Sequence, residues 1–226
     1  VDHLYEQSGA AISEEVKDQK RAELGLDQPF LVQYGHWLKG AATGNMGRSY
    51  ISGKRVFESF SEKLPMTVEL MLVSIAMTLL IAIPFGILSA ARQNTTLDLC
   101  VRFLTFIGNS LPNFFVALLL IYFLALKLNL FPIMGSRENA ASVFLPALTL
   151  AISMSAKYTR QIRAAVLEEL GKPYVAGARS RGISEWTILT RSVLRSSFIT
   201  IITLLALSIG SLLGGTAIVE TIFMWD

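Results

Sequence analysis

The chain has 226 residues, of which 52% are hydrophobic and only 16% are charged, with a net charge of +3. Because soluble domains carry charge on about a quarter of their residues, this composition argues against a soluble protein, and the basic balance is typical of cytoplasmic membrane loops rather than of nucleic-acid binding. The single cysteine, Cys100, excludes a disulfide within the chain, and no Cys/His cluster indicates a metal site.

The N-terminal part, residues 1–63, is polar and nearly balanced, with eight basic and nine acidic residues. The stretch 13–26 is compatible with a helix, with Ser13 as N-cap and a glycine near its end. Apolar residues recur at a spacing of three and four over 30–38, which predicts an amphipathic helix lying on a membrane surface or against a neighbour. The glycine-rich stretch 40–53 is predicted to be a loop.

Four stretches then lack any Asp, Glu, Lys or Arg, and they contain 22, 24, 18 and 24 residues. A helix needs about 20 apolar residues to cross a bilayer, so the pattern predicts an all-α, polytopic membrane protein. The predicted spans are 64–91, 103–126, 139–156 and 196–219. Pro65 suits the first turn of the first span, whereas Pro112 should kink the second.

The charges in the loops predict how the spans are oriented. The loop 157–195 holds eight basic and three acidic residues, which places it in the cytoplasm by the positive-inside rule. Alternation then places residues 1–63 outside the cytoplasm, and 220–226 begin another extracytoplasmic loop. We therefore expect a further span before Val1 and at least one after Asp226, so that this sequence is truncated at both ends.

A few polar side chains interrupt the apolar spans and are candidates for lining a translocation pathway: Glu69, Asn109, Ser110 and Asn113. Polar groups in hydrocarbon are costly, so the asparagines should face either a pathway or another helix. Glu69 has a second interpretation, because a carboxylate near a helix N-terminus is favoured by the helix dipole. Gly210 and Gly214 have the spacing that permits close helix approach, although such pairs are frequent by chance.

The cytoplasmic loop contains a short element bounded by turn signals. Residues 157–170 are predicted to be helical, and Pro173 can open a second, short helix over 174–181 after the glycine–lysine break. Gly182 can close this helix in the left-handed conformation, and Ser184 can cap the next one. The loop therefore presents a short, basic helix that a partner could bind.

This loop resembles the cytoplasmic "EAA" signature of binding-protein-dependent permeases, the membrane subunits of ATP-binding-cassette (ABC) importers. The similarity rests on Tyr174-Val175, Ala178, Gly182 and Val193-Leu194-Arg195. The first Glu-Ala of the signature and its distal Leu-Pro are absent, as is usual in the dipeptide, oligopeptide and nickel branch. Six further segments are similar to that branch, namely 25–29, 32–35, 64–70, 111–114, 130–135 and 214–223.

The resemblance implies a type I ABC importer permease fold in the bacterial cytoplasmic membrane. In that family the short helix is a coupling helix that docks on a cytoplasmic ATPase subunit. Carried over to this sequence, the coupling residues are Pro173, Tyr174, Val175, Ala178, Arg179, Arg181 and Gly182. The resemblance also implies an extracytoplasmic substrate-binding protein and a second permease subunit, in a heterodimer, with a homodimer as the alternative.

The sequence predicts a transport subunit rather than an enzyme. It has no phosphate-binding GxxxxGK[ST] loop and no catalytic grouping, so a partner must hydrolyse ATP. No cofactor and no metal ligand set are expected, and a secondary transporter is disfavoured because no ionisable group lies near the centre of a span. The wording of 32–38 and 214–220 favours nickel, carried as a chelate, with peptide as the alternative cargo.

Overall fold

A computed structural model of the chain describes residues 13–49, 53–133 and 140–225, and it divides into two compact units that meet between Pro65 and Met66. The regular secondary structure of the described residues is helical, apart from one isolated bridge that pairs Arg48 with Arg55. This all-helical structure confirms the predicted fold class. The part of the motif 130–135 that lies beyond Ile133, the start of the third predicted span and Asp226 lie outside the described residues.

The first unit contains the two predicted N-terminal helices. Helix α1 comprises Glu14–Glu23 and α2 comprises Phe30–Ala42, which extends four residues beyond the predicted amphipathic stretch. The aromatic ring of Tyr34 stacks on the rings of Phe30 and Trp37, at centroid distances of 6.4 and 6.0 Å. All three rings are exposed, so the apolar face of α2 is not buried by other residues of the first unit.

Helix α3 comprises Val56–Ala91 and starts eight residues before the predicted first span. Pro65 is consequently the tenth residue of the helix, not part of its first turn as predicted. The preceding polar residues extend the helix because none of them disfavours helical geometry strongly. Pro65 has no backbone N–H to donate, so one hydrogen bond is missing inside a continuous helix. Membrane helices tolerate such a missing bond.

The second predicted span is broken rather than kinked. Helix α4 (Thr96–Ser110) and helix α5 (Asn113–Leu120), which continues as the π-helical segment Ile121–Lys127, meet at an angle of 103°. Leu111 and Pro112 both have extended backbones, with ψ of 131° and 142°. A proline pushes the residue before it out of the helical region and donates no hydrogen bond, so the two effects together turn the chain sharply.

The remaining chain forms one long helix, two short ones, and a final pair of helices. A 3₁₀ turn at Ala140–Val143 leads into α6, and the elements after it are α6 (Phe144–Leu170), α7 (Pro173–Ser180), α8 (Glu185–Thr187), a π-helical segment (Ile188–Val193), α9 (Leu194–Gly215) and α10 (Ala217–Phe223). The third predicted span is therefore only the first half of α6, which continues as one helix into the predicted cytoplasmic loop.

Three helical stretches of the described chain are long and apolar enough to cross a membrane: Val56–Ala91, Ala141–Leu170 and Glu185–Leu213. The bent α4–α5 pair would make a fourth if it counts as one span. In the apolar window of the second stretch 56% of residues are buried, against 33% in the first and 22% in the third. Helix α6 is therefore the central helix, and α3 and α9 expose apolar side chains of the kind that lipid or another subunit would cover.

Buried side chains in the second unit form two cores. The first core includes Leu70, Leu145, Val219 and Phe223, and the indole N–H of Trp225 donates to the Met66 carbonyl oxygen at 3.1 Å. The second core joins the other end of α6 to the elements that follow it, and its members include Tyr158, Ile162, Val166, Val175, Ala178, Ile188 and Val193. The second core fixes the position of α7.

Candidate functional site

Helix α7 is the short helix predicted from the sequence, and its boundary residues have the predicted roles. Pro173 is its first residue, after an extended Lys172. Gly182 has φ of +74°, and its N–H donates to the Arg179 carbonyl oxygen at 2.9 Å. The Ser184 hydroxyl accepts a hydrogen bond from the Thr187 N–H and so caps α8. A positive φ is easy for glycine, which is why the chain can reverse direction at this point.

Two of the predicted coupling residues lie on the inner face of α7. Val175 is fully buried and Ala178 nearly so, and both belong to the second core with Val166 and Ile188. Burying such side chains contributes about 1.5–3 kcal/mol for a valine. Val175 and Ala178 therefore hold α7 in place and cannot themselves contact a partner.

The N-terminal end of α7 is tied to the end of α6 by Glu169. This carboxylate accepts from the Lys172 ammonium and, at 2.8 Å, from the Tyr174 hydroxyl. The hydrogen bond that Lys172 donates to Glu169 raises the pKa of Lys172. Burial raises the pKa of Tyr174, and the hydrogen bond to the same carboxylate raises it further. The charges thus remain paired across the neutral pH range.

The C-terminal end of α7 is tied to α8 by Arg179. Its Nε and a terminal nitrogen donate to the two carboxylate oxygens of Glu185 at 2.6 and 3.1 Å, which raises the pKa of Arg179. Exposed pairs add little to stability, so the effect of this fork is mainly on the geometry of the Gly182 turn. Arg181 differs, because its Nε donates only to the Gly177 carbonyl oxygen and it forms no ion pair among the described residues.

The outer face of α7 is exposed and made of small residues beside a few larger ones. A Cβ atom placed on Gly177 would have no heavy atom within 4 Å, and Ala176 and Arg181 are also exposed. Trp186, which the sequence analysis did not select, is 70% exposed two residues after the cap of α8. Its signal was available, since an isolated tryptophan in a charged loop is a typical contact residue.

Three of the four candidate pathway residues flank the break between α4 and α5. Asn109 and Ser110 are exposed at the end of α4, and Asn113 is half-buried at the start of α5. Ser110 donates to the Phe106 carbonyl oxygen of its own helix at 2.8 Å. Neither asparagine side chain forms a hydrogen bond among the described residues, so bonding between helices of this chain does not explain them.

Glu69 lies on α3, apart in sequence from the other three, and is exposed. It is the fourteenth residue of the helix that begins at Val56, so it is too far from the N-terminus for the helix dipole to explain it. Within the described chain its carboxylate has no ion-pair partner. The dipole interpretation is therefore wrong, and the pathway interpretation stays a prediction.

The charged cluster that the sequence analysis missed is a buried ion pair between Asp98 of α4 and Arg163 of α6. Arg163 Nε and a terminal nitrogen each donate to one carboxylate oxygen of Asp98 at 2.8 Å. The hydroxyl of Ser89, near the end of α3, donates to the same carboxylate at 2.5 Å, and the Asn94 N–H donates at 3.0 Å. Asp98 has no exposed surface, and the side chain of Arg163 is 17% exposed.

This pair was missed because only the basic residues of the loop 92–102 were considered, which passed over Asp98, its one acid. Sequence periodicity cannot join two residues 65 positions apart. Removing one partner of a buried pair costs about 3–5 kcal/mol, because the other charge is left unpaired. The cluster is therefore a strong constraint on how α3, α4 and α6 are arranged.

A metal centre has no support in the described residues, where no group of three or more His, Cys, Asp or Glu side chains could hold an ion.

Comparison with known proteins gives a consistent family. Residues 82–226 match the family profile described as binding-protein-dependent transport system inner membrane component. The oligopeptide transport system permease protein AppB of Bacillus subtilis is 37% identical over 95% of this chain and 71% of its own length. A putative peptide transport system permease protein of Brucella suis is 31% identical over 96% and 71% of the two chains. The metal-staphylopine import system permease protein CntB of Staphylococcus aureus is 29% identical over 98% and 71%.

Proposed function

Because the chain belongs to the family of binding-protein-dependent transport system inner membrane components and is a permease subunit of an ABC importer, we propose that α7 is the element through which a cytoplasmic ATPase drives it. The proposal includes a multi-pass location in the bacterial cytoplasmic membrane. It also includes a second permease subunit, in a heterodimer, and an extracytoplasmic protein that delivers the cargo.

The observation that carries the proposal is that one face of α7 is buried whereas the other is exposed. Its inner face is buried through Val175 and Ala178, and its two ends are tied by Glu169 and by the Arg179–Glu185 fork. The outer face is left exposed, with small residues that let a partner approach closely. A helix held this rigidly transmits a displacement instead of absorbing it.

The mechanism follows from this attachment. ATP binding closes the partner's ATPase domains and displaces α7, and α7 carries α6 with it through the second core. Such rigid-body motion between two stable arrangements is the general means by which an interface switches a transporter. Asn109, Ser110, Asn113 and Glu69 are the polar groups that the cargo would meet. The Ser110 hydroxyl bonds only to its own helix, and the other three side chains have no hydrogen-bond or ion-pair partner among the described residues.

The docking surface is tested by making the same substitution, alanine to leucine, at one exposed position on α7 and at one on α6. Ala176→Leu places a bulky side chain on the outer face of α7, and Ala164→Leu makes the same change on an exposed position of α6. We expect Ala176→Leu and Arg181→Glu to lower ATPase binding at least tenfold in a pull-down with purified ATPase subunits. Ala164→Leu should bind as the wild type does, and equal binding by all three variants would contradict the proposal.

The arrangement of Arg179 changes how it should be tested. Reversing its charge would break the fork to Glu185 and disturb the Gly182 turn, so lost docking would not identify a contact. Trp186→Ala is the sharper variant, because this exposed side chain can be removed without opening the second core. Reduced docking by Trp186→Ala would extend the surface from α7 onto α8.

For the cargo, we propose a small polar molecule of one of two classes. A short peptide is supported by the names of the relatives from Bacillus subtilis and Brucella suis. A nickel chelate is supported by the wording of 32–38 and 214–220 and by the name of the Staphylococcus aureus relative. Bare nickel is disfavoured, since the described residues hold no ligand cluster.

Reconstituted vesicles containing the complete importer distinguish the classes. Uptake of labelled peptide that is unaffected by excess nickel chelate would support a peptide importer. Uptake of radioactive nickel only with an added chelator, and unaffected by peptide, would support a chelate importer. Uptake of nickel without any chelator would contradict both assignments.

A further inference from the structure

We propose that the Asp98–Arg163 pair is the joint that makes α3 and α4 follow the movement of the coupling helix α7. The inference rests on the proposed function, because it concerns how a displacement imposed on α7 reaches the other helices. Asp98 and Arg163 are positioning residues in this proposal, since neither is required to touch cargo or nucleotide.

Three helices and the turn between two of them converge on the carboxylate of Asp98. Asp98 accepts hydrogen bonds from Arg163 of α6, from Ser89 of α3 and from the Asn94 backbone in the turn between α3 and α4. Arg163 Nε also lies 3.1 Å from the Ser89 oxygen. Three helices are therefore joined by groups that are buried and directional.

This cluster is also connected to α7. Arg163 follows Ile162, which belongs to the same core as Val166 and Val175. Val175 is the buried residue of α7, and Glu169 ties the start of α7 to α6 two turns beyond Arg163. Helix α6 therefore connects the Asp98–Arg163 pair directly to the coupling helix α7.

Helices α3 and α6 are also closely packed beside this cluster. A Cβ atom on Gly86 of α3 would lie 2.8 Å from Ile162 Cγ2 and 3.2 Å from the Thr159 carbonyl oxygen. A smooth apolar contact of this kind resists compression but permits sliding along the helix axes. The bidentate fork of Arg163 prevents sliding, because its two hydrogen bonds hold one orientation.

Stability of the fold alone does not explain a buried ion pair at this position, because removing two charges from water costs free energy. Replacing a buried pair by packed apolar residues is often neutral or stabilising, so stability alone does not require Asp98 and Arg163. A fixed register between α6 and α4 does require directional groups. This difference gives the proposal a consequence that stability measurements alone would not reveal.

The experiment uses the complete importer in nanodiscs with three variants. Asp98→Asn removes the charge, Arg163→Lys keeps the charge but loses the fork, and Ser89→Ala removes one hydrogen bond. Arg160→Lys is the matched control, because Arg160 lies on the same helix, is exposed and forms no ion pair among the described residues. ATPase docking, basal ATP hydrolysis and its stimulation by the cargo-loaded binding protein are measured per assembled complex.

We expect the Asp98 and Arg163 variants to dock the ATPase within twofold of the wild type and to keep basal hydrolysis. Stimulation by the loaded binding protein should fall at least tenfold in both, and the double variant should be no worse than either single one. Ser89→Ala should fall by a smaller factor, and Arg160→Lys should not change.

Wild-type stimulation in Arg163→Lys or in Asp98→Asn would overturn the proposal. Failure of every variant to assemble would also overturn it, since the pair would then serve folding alone. If the wild-type chain does not bind an ATPase at all, the proposed function fails instead. Loss of docking in the α7 variants with normal stimulation in the Asp98 variants would keep the function and reject only the joint.

Discussion

The contact between Gly86 and Ile162 allows a quantitative test of how closely α3 and α6 are packed. A methyl group on Gly86 would lie 2.8 Å from Ile162 Cγ2 and 2.9 Å from its Cβ, closer than non-bonded carbon atoms pack in proteins. The Cβ atom is attached to the α6 backbone, so the two helices must separate or tilt. The substitution Gly86→Ala therefore tests the interface with a single carbon atom.

The magnitude follows from two opposed effects. Adding a methyl group to a packed core costs about 1–3 kcal/mol, and the backbone-linked clash indicates the upper end. Alanine is favoured over glycine in a helix by about 1 kcal/mol, which offsets part of that cost. We expect Gly86→Ala to lower the free energy of unfolding by about 2 kcal/mol. Gly210→Ala, where no atom lies within 4 Å, should gain up to about 1 kcal/mol.

The assay is reversible unfolding in mixed detergent micelles, followed by circular dichroism for the wild type and both variants. A second change sharpens the result, because Ile162→Ala removes Cγ2 and so relieves the 2.8 Å contact, although the Cβ atom at 2.9 Å remains. That substitution alone should cost about 2–5 kcal/mol. In the double variant the losses should not add, and the coupling should be about 1 kcal/mol or more.

Two results would refute the reasoning. One is a Gly86→Ala variant as stable as Gly210→Ala, which would mean that α3 and α6 are not in close contact. The other is strict additivity of the Gly86 and Ile162 changes, which would mean that the destabilisation arises elsewhere.

Four further predictions concern single residues. Gly182→Val forces a β-branched residue into a left-handed conformation, so it should destabilise the turn by about 1–2 kcal/mol and weaken ATPase docking in a pull-down. Ser184→Ala removes the cap of α8 and should cost about 1 kcal/mol, seen as faster hydrogen exchange at Thr187. Trp225→Phe removes the indole hydrogen bond to the Met66 carbonyl oxygen, which keeps its place in the helical ladder of α3, and should cost about 0.5–1.5 kcal/mol in detergent unfolding. Because the pKa of Lys172 is raised, its tie to α6 is present below that pKa and lost only above it, so docking should be equal at pH 6 and pH 9.

The features of α7 were predictable because they depend on neighbours in the sequence. Pro173 opens a helix, Gly182 closes it and Ser184 caps the next one through contacts within four residues. Local chemistry of this kind is readable without knowing the fold. The exposed or buried state of each side chain on α7 was not readable, and it separates Val175 and Ala178 from the residues that can touch a partner.

The prolines show where local information ends. Pro65 lies inside a continuous helix, whereas Pro112 separates two helices at 103°. The intrinsic cost of an interior proline, about 3 kcal/mol, is the same at both sites. The outcome depends on what packs against each one, and this is set by distant parts of the chain. Spans delimited by charge alone consequently did not predict the break.

The Asp98–Arg163 pair is the extreme case of this limit, since both residues were visible and their partnership was not. Arg163 was counted among the basic residues that orient the protein, which treats it as exposed to water. Its fork to a fully buried carboxylate removes it from that count. The predicted orientation still rests on seven other basic residues of the loop 157–195, so it does not depend on this one.

The length of α6 gives the reason why the coupling helix can be held by apolar contacts at all. The predicted span ends at residue 156, and the helix continues for 14 residues to Leu170, about 20 Å at 1.5 Å per residue. Inside a bilayer, apolar side chains gain little by packing together, because lipid is equally apolar. With the predicted boundary at residue 156, Val166 and Val175 would lie beyond the bilayer, where the exclusion of water drives burial. On that prediction the attachment of α7 would be strongest outside the membrane, which is where the proposed ATPase would pull on it.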